Sequence, residues 1–332
     1  MTFTQTGKAV LRRLYQMHPG FRRLQQSVDD AKLLSAQILI ETIRRKGMLE
    51  DLGQAEFQVF SQFGDDGIIQ YLIHAADVRE ETFIEFGSSN YVESNTRFLA
   101  EYNDWRGLLI DGDRRNIEYI KRGPAHWRHD VTAVAAFVTR DNINELFRDN
   151  GFEGEMGLLS VDIDGNDYWV WEAISVVRPV IVVSEYNSTF GWEHAVTVPY
   201  DAAFDRFKAH YSGLFWGASL KALCLLAERK GYLHVGCNKA GNNAYFVRSD
   251  KIGSLKARSP QDSYRGSSYR ESRDRAGRMS LLRGKHRFEA IQDLDVIDVA
   301  GNRTLKLRDL RSCGEDGCKP APVYDSRSNI SG

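Results

Sequence analysis

Met156-Gly-Leu-Leu-Ser-Val-Asp-Ile-Asp-Gly-Asn-Asp167 and Val180-Ile-Val-Val-Ser-Glu-Tyr-Asn187 decide the fold. Each is an apolar, β-branched run that stops abruptly at acidic or amide side chains. A parallel strand buried on both faces reads this way when it delivers functional groups to the carboxyl edge of its sheet. The first run offers Asp162, Asp164 and Asp167, and the second offers Glu185 and Asn187. Oxygen-bearing side chains at two neighbouring strand ends can hold a hard cation, take a proton, or do both.

Two further strand ends lie upstream. Thr82-Phe-Ile-Glu-Phe-Gly-Ser-Ser-Asn90 reads as a strand followed by a tight glycine turn, and Gly107-Leu-Leu-Ile-Asp-Gly-Asp113 as a strand ending in Asp111. Glu85 and Asp111 are 26 residues apart, about the length of one β-α-β unit. An acid at the end of the second strand commonly grips ribose hydroxyls, because a carboxylate accepts two hydrogen bonds from a vicinal diol. The Gly-x-Gly-x-x-Gly fingerprint is absent: Gly87 is followed by Ser88, Ser89 and Asn90. Three glycines let a helix N-terminus close on a pyrophosphate, whereas one still lets backbone pass close to a smaller nucleoside. This disfavours NAD and favours an adenosyl cofactor without a diphosphate, such as S-adenosylmethionine.

Taken together, Ser61-Gln-Phe-Gly-Asp-Asp-Gly67, Phe83-Ile-Glu-Phe-Gly-Ser-Ser-Asn90, Leu109-Ile-Asp-Gly-Asp113, Leu159-Ser-Val-Asp-Ile-Asp-Gly-Asn-Asp-Tyr168 and Ser184-Glu-Tyr-Asn187 resemble the FkbM-type family of S-adenosylmethionine-dependent methyltransferases. The resemblance spans roughly residues 56–250. It implies an α/β, Rossmann-like class I methyltransferase fold: a mostly parallel seven-stranded sheet with flanking helices. It also implies O-methylation, often of a sugar or polyketide hydroxyl, and suggests that Ser61, Gln62 and Asp65 help cover the cofactor. Asp65 or Asp66 could equally cap the helix that follows.

The chain has 332 residues, enough for one large core with appendages or two modest domains. A formal net charge of −1 argues against a dedicated nucleic-acid binder. No run approaches the roughly 20 apolar residues of a membrane span. The start lacks a secretory apolar core, and a reducing, cytoplasmic setting is expected, with Cys224 and Cys237 as reduced core residues. Lys8, Arg12, Arg13, Arg22 and Arg23 precede the first acid, Asp29. Such a start reads as a transit peptide, as a peripheral membrane-surface helix, or more simply as an exposed helix with solvated charges. Cys313 and Cys318 have no nearby histidines to complete a zinc site.

Residues 1–55 read as a helical extension, and 56–250 alternate strands and helices. Strands are expected at 82–86, 107–111, 127–131, 157–162, 180–185, 232–236 and 243–248, the last two as a hairpin. That closure belongs to the methyltransferase version of the fold and not to the two-halved dinucleotide version. From 251 to 332 the expectation is a basic linker, a small hairpin around Gly301 and a disordered tail. Lys256–Arg287 holds ten Lys or Arg and three Asp or Glu. It reads as a solvated linker or as a basic wall for a phosphorylated or acidic acceptor.

Methyl transfer to oxygen needs an aimed hydroxyl and a group to take its proton. A sugar hydroxyl is a weak acid, and a divalent cation would lower its pKa. The expectation is that Asp162 and Glu185 are catalytic. Asp162, Asp164 and Glu185 could hold Mg2+ or Mn2+, with Asn187 as a further ligand or acceptor contact. Related sugar O-methyltransferases place acids at these two strand ends, although this second site reads Glu-Tyr-Asn and not a pair of aspartates. Asp167 could instead cap the helix starting at Tyr168. Glu85, Gly87 and Ser88 are expected at the methionine end of the cofactor, Asp111 at the ribose and Asp130 at the adenine amino group. Tyr186, Phe190, Trp192, His194 and Trp216 are expected to shape a saccharide or small-molecule acceptor pocket, with His194 as an alternative base. A nucleotide-binding scaffold without turnover and a nucleotide-dependent oxidoreductase are the competing readings.

Overall fold

The computed structural model describes residues 19–312. The chain divides at Gly47 into two compact units. Of the first, the structure describes one 28-residue helix, α1 (Pro19–Lys46), whose last turn carries Arg44, Arg45 and Lys46. Cations there complement the negative end of the helix dipole. Residues 48–55, expected to belong to the helical extension, form part of the second unit, with a 3-10 turn at Leu52–Gln54 capped by the Asp51 side chain.

The second unit is built on a seven-stranded sheet: β1 (Thr82–Phe86), β2 (Arg106–Asp111), β3 (Val131–Ala135), β4 (Gly154–Val161), β5 (Val177–Glu185), β7 (Tyr232–Cys237) and β8 (Asn243–Arg248). Their spatial order is β3-β2-β1-β4-β5-β8-β7. The first five pair in parallel, while β8 runs antiparallel between β5 and β7. This is the expected Rossmann-like class I methyltransferase fold. Parallel strands read as apolar runs because helices cover both faces: β4 is buried from Met156 onward and β5 from Pro179 onward. Trp171, Tyr168, Tyr186 and Phe246 are among the largest fully buried side chains. Trp171 packs against Phe246 at 5.0 Å, and truncating it to alanine would cost about 3–5 kcal/mol.

The helices linking these strands are α2 (Asp65–Ala75), α3 (Arg97–Glu101), α4 (Arg114–Arg122), α5 (Pro124–Arg128), α6 (Ile143–Asp149), α7 (Asp167–Ala173), α8 (Arg206–Ala209) and α9 (Leu220–Arg229). The strand expected at 127–131 is not formed. Pro124 sits in the first turn of α5, where its missing N–H is harmless, and the third strand begins only at Val131.

The expected C-terminal hairpin is present as β9 (Asp295–Asp298) and β10 (Arg303–Lys306). It joins β6 (Val196–Thr197), from the loop after β5, in a three-stranded antiparallel sheet. That sheet has its own core of Phe190, Val196, Val198, Phe215, Phe288 and Val296. Two short helices, α10 (Pro260–Ser263) and α11 (Lys285–Ile291), punctuate the basic stretch. Among the described residues, no helix is long and apolar enough to cross a membrane. Cys224 and Cys237 are buried and free. Cys313, Cys318, the first five basic residues except Arg22 and Arg23, and the expected disordered tail lie outside the described residues.

Candidate active site

Because β1, β2, β4 and β5 are parallel and in register, their carboxyl ends share one edge, with Phe86 opposite both Ile110 and Val161. A cleft of ≈ 1330 Å3 opens along that edge. Eight of its lining residues are Asp or Glu, against three Arg and no Lys. Such a cleft attracts a cation and repels a diphosphate.

The turn after β1 forms the near wall. Gly87 adopts φ +82°, and a Cβ there would stand 1.4 Å from the Asp162 carbonyl oxygen, so only glycine lets the ends of β1 and β4 meet. The Gly87 N–H donates to Ile110 O at 2.9 Å. Glu85 is buried. Its Oε2 accepts from the Ser94 and Thr96 hydroxyls, both at 2.5 Å, and its Oε1 accepts from Asn95 N at 3.2 Å. Burial pushes the Glu85 carboxyl up, and these bonds pull it back. Asp111 closes the end of β2. Its Oδ1 accepts from Asp113 N at 2.7 Å and Asn116 Nδ2 at 3.0 Å, while Oδ2 takes only Ser89 N at 2.8 Å. A carboxylate oxygen accepts two hydrogen bonds, so Oδ2 retains capacity for a ligand.

Asp162 and Glu185 meet at the cleft floor. Glu185 is 9% exposed, and one of its oxygens, Oε2, is buried without a protein partner. Burial first, then the Asp164, Asp167 and Glu85 carboxyls, hold Asp162 well above the carboxylate range, opposed by a hydrogen bond to Glu185. Burial first, then Asp162, Asp164 and Asp167, do the same to Glu185, opposed by Arg206. Two carboxyls buried side by side resist ionising together, so each raises the other.

Several expected site residues do other work. Asp167 is fully buried and accepts from Ile163 N at 2.8 Å and Gly165 N at 2.9 Å, shaping the loop that carries Asp164. Asp65 is buried outside the cleft lining. Its Oδ1 accepts from Asn238 at 2.9 Å, Asn243 at 3.0 Å and the Tyr245 hydroxyl, pinning the β7–β8 turn. Asp66 gathers the N–H groups of Val59, Phe60 and Ser61, which fixes Ser61 beneath Gln62. Gln62 reaches the cleft, whereas Ser88 is buried outside its lining.

Asn187 does not reach the cleft as a ligand: its amide donates to Leu214 O and Trp216 O and accepts from Thr189 N. His194 also lies outside the lining, because the chain after β5 turns through a 3-10 helix towards the small sheet. Tyr186, Phe190 and Trp216 are core residues for the same reason. Asp130 precedes β3 at the opposite sheet edge, exposed, 4.0 Å from Arg106. A strand at 127–131 would put Asp130 near its carboxyl end, but β3 begins at Val131, so Asp130 lies at the amino end.

The expected metal ligands do not fit an ion. Asn187 is fully committed, and Asp164 is held by Arg206 Nη1 at 2.5 Å. Among the described residues, no group of three or more His, Cys, Asp or Glu is disposed to bind one.

Other residues complete the cleft. Arg206 bridges Asp164 and Glu271, the latter at 2.7 Å. Burial opposes its charge, but Asp164 and then Glu271 hold it above its ordinary value. Phe63 stacks on Tyr269 at 5.8 Å. Tyr269 and Glu271 come from the supposed linker, and Phe137 from just beyond β3. The only sequence signal for Arg206 was its place between Phe204 and Phe207, which also line the cleft.

No family model matches the chain, and no curated protein matches it. Among solved structures it is similar to the N-terminal domain of EvdMO1 with SAH bound, at 11% identity and TM-score 0.38, over 67% of this chain and 97% of that one. A putative O-methyltransferase from Klebsiella pneumoniae aligns at 14% identity and TM-score 0.35, over 72% of this chain and 96% of that one. An O-methyltransferase from Bacillus cereus in complex with SAH aligns at 10% identity and TM-score 0.37, over 68% and 96%. The last two are described as O-methyltransferases and the first as binding SAH; at such scores the likeness adds nothing to the fold already described.

Proposed function

We propose that the chain is an S-adenosylmethionine-dependent O-methyltransferase of the FkbM type, acting on a saccharide or natural-product hydroxyl. The observation that carries this reading is the carboxyl pair of Asp162 and Glu185 on the floor of an acidic cleft at the ends of β1, β2, β4 and β5. The cofactor is a sulfonium cation that supplies an electrophilic methyl group. Its fit rests on the cradle that only glycine permits at position 87, on the spare capacity of Asp111 Oδ2, and on the excess of carboxylates over arginines.

The chain's residues then have distinct roles. Gly87 and Ser89 present backbone, and Asp111 accepts from a ribose. The ionised member of the Asp162–Glu185 pair accepts the hydroxyl proton as the new carbon–oxygen bond forms. Its raised pKa makes it a stronger base than an ordinary carboxylate. No metal enters this scheme.

Transfer of labelled methyl from S-adenosylmethionine to a panel of saccharides tests it. The expected product is a methyl ether, made by the wild type and not by Glu185→Gln. Label on nitrogen or carbon, or equal turnover by Glu185→Gln, would overturn the O-methyl assignment.

A further inference from the structure

A second cavity, of ≈ 500 Å3, has the opposite charge. Arg273, Arg275 and Arg278 line it against Asp274, with Tyr211 as an aromatic wall. It adjoins the acidic cleft through Phe207. The Arg206 guanidinium lies 4.9 Å from that ring's centroid and the Arg273 guanidinium 5.2 Å from it. Phe207 itself lines the cleft.

The arginines are preorganised. The Asp274 side chain accepts from Ala276 N at 2.9 Å and Arg278 N at 3.0 Å, and the Asp274 N–H donates to Arg278 O at 2.8 Å. Ser280 Oγ donates to Ser272 Oγ at 2.9 Å, fixing the return of the turn. Arg278 is neutralised by Asp274 at 2.9 Å, and Arg273 stands 3.5 Å from Glu271. Arg275 is exposed, its guanidinium 4.9 Å from the Tyr211 ring centroid, and it has no acidic partner among the described residues. A guanidinium beside an aromatic face, with no carboxylate to occupy it, keeps its donors free for a planar or tetrahedral oxyanion.

We propose that this groove binds an oxyanion ester, a phosphate or sulfate group, carried by the same acceptor whose hydroxyl enters the acidic cleft. The inference rests on the methyltransferase reading for the acceptor, while the anion site itself stands on the groove. A cleft rich in carboxylates would repel such a group, so the adjoining arginines give the acceptor a direction: hydroxyl end at Asp162 and Glu185, anionic end at Arg275.

Calorimetry on the full chain with inorganic phosphate, glucose 6-phosphate and glucose tests it. NMR of the His210 imidazole serves as a local reporter: its Nδ1 contacts Ser212 Oγ at 2.8 Å, and Ser212 lines the groove. Glucose 6-phosphate should bind about tenfold more tightly than inorganic phosphate, glucose should not bind, and the His210 signals should move. Arg275→Glu should weaken both anions at least about tenfold while leaving the affinity for S-adenosylhomocysteine unchanged, which also reports folding. Arg275→Gln serves if the charge reversal fails to fold.

Equal affinities for phosphate and glucose 6-phosphate would overturn the acceptor role. Undiminished binding by the Arg275 variants, or no binding of either anion, would overturn the site. Anion binding without S-adenosylhomocysteine binding would sink the methyltransferase reading and leave the groove standing.

Discussion

The Asp162 carbonyl oxygen fills the space that a Cβ on Gly87 would need, at 1.4 Å from its ideal position. The ends of β1 and β4 are therefore in direct backbone contact, and the turn after β1 and the residue Asp162 share one joint. Gly87→Ala would add a strained positive φ to this clash. It should cost about 3 kcal/mol or more in urea unfolding and lower the affinity for S-adenosylhomocysteine. A variant as stable as the wild type would contradict the contact.

Asp111 bridges two turns, through Ser89 N on one side and Asp113 N and Asn116 on the other. Asp111→Ala should weaken S-adenosylhomocysteine binding by about 1–3 kcal/mol in calorimetry. Asp130→Ala, at the far edge of the sheet, should leave that affinity unchanged. If the two variants behaved alike, the site would not lie at this edge.

The Asp162 and Glu185 carboxyls have folded pKa values above their ordinary ones of 3.8 and 4.5. The stability such groups contribute is complete below their unfolded values and is lost as pH rises through the folded ones. Glu185→Gln keeps the shape and removes one buried charge. It should be more stable than the wild type at pH 7, by about 1–2 kcal/mol, with the gain disappearing near pH 4. Denaturant unfolding at several pH values measures this; a loss of stability at pH 7 would contradict the pairing.

Asp66 and Asp167 are both pushed by burial from 3.8 to about 6. In the window from about 4 to 6 the folded chain holds protons that the unfolded chain has released, so stability should fall with rising pH. The two differ in geometry. Asp66 gathers its bonds on Oδ2 alone, so Asp66→Asn can keep them through one amide oxygen. Asp167 uses both oxygens, so Asp167→Asn must turn its amide N–H against a backbone N–H. Asp167→Asn should be less stable than Asp66→Asn by about 2 kcal/mol at pH 7, read from thermal or urea unfolding.

The strands that build the site were legible because a parallel strand covered on both faces leaves an apolar run ending in polar residues, as in 157–162 and 180–185. The third strand was not. His126-Trp-Arg-His reads as strand-like, yet Pro124 starts a helix there and Trp127 is 70% exposed. Polar residues after a strand announce a strand end but not their partner. Asp162 and Glu185 face the cleft, while Asn187 and Asp65 serve loops closed by residues far along the chain. The basic stretch was hidden by its composition. Its order depends on long-range bonds such as Arg265 to Asp51 at 2.6 Å and Tyr264 to Ser188 O at 2.7 Å, and these bring Tyr269 and Glu271 to the cleft.

Calorimetry of the purified chain with S-adenosylhomocysteine, in EDTA and with NAD as the comparison, tests the central claim most directly. The account predicts a dissociation constant of roughly micromolar order for S-adenosylhomocysteine, unchanged by the chelator, and no binding of NAD. Binding of NAD alone, or of neither, would contradict it.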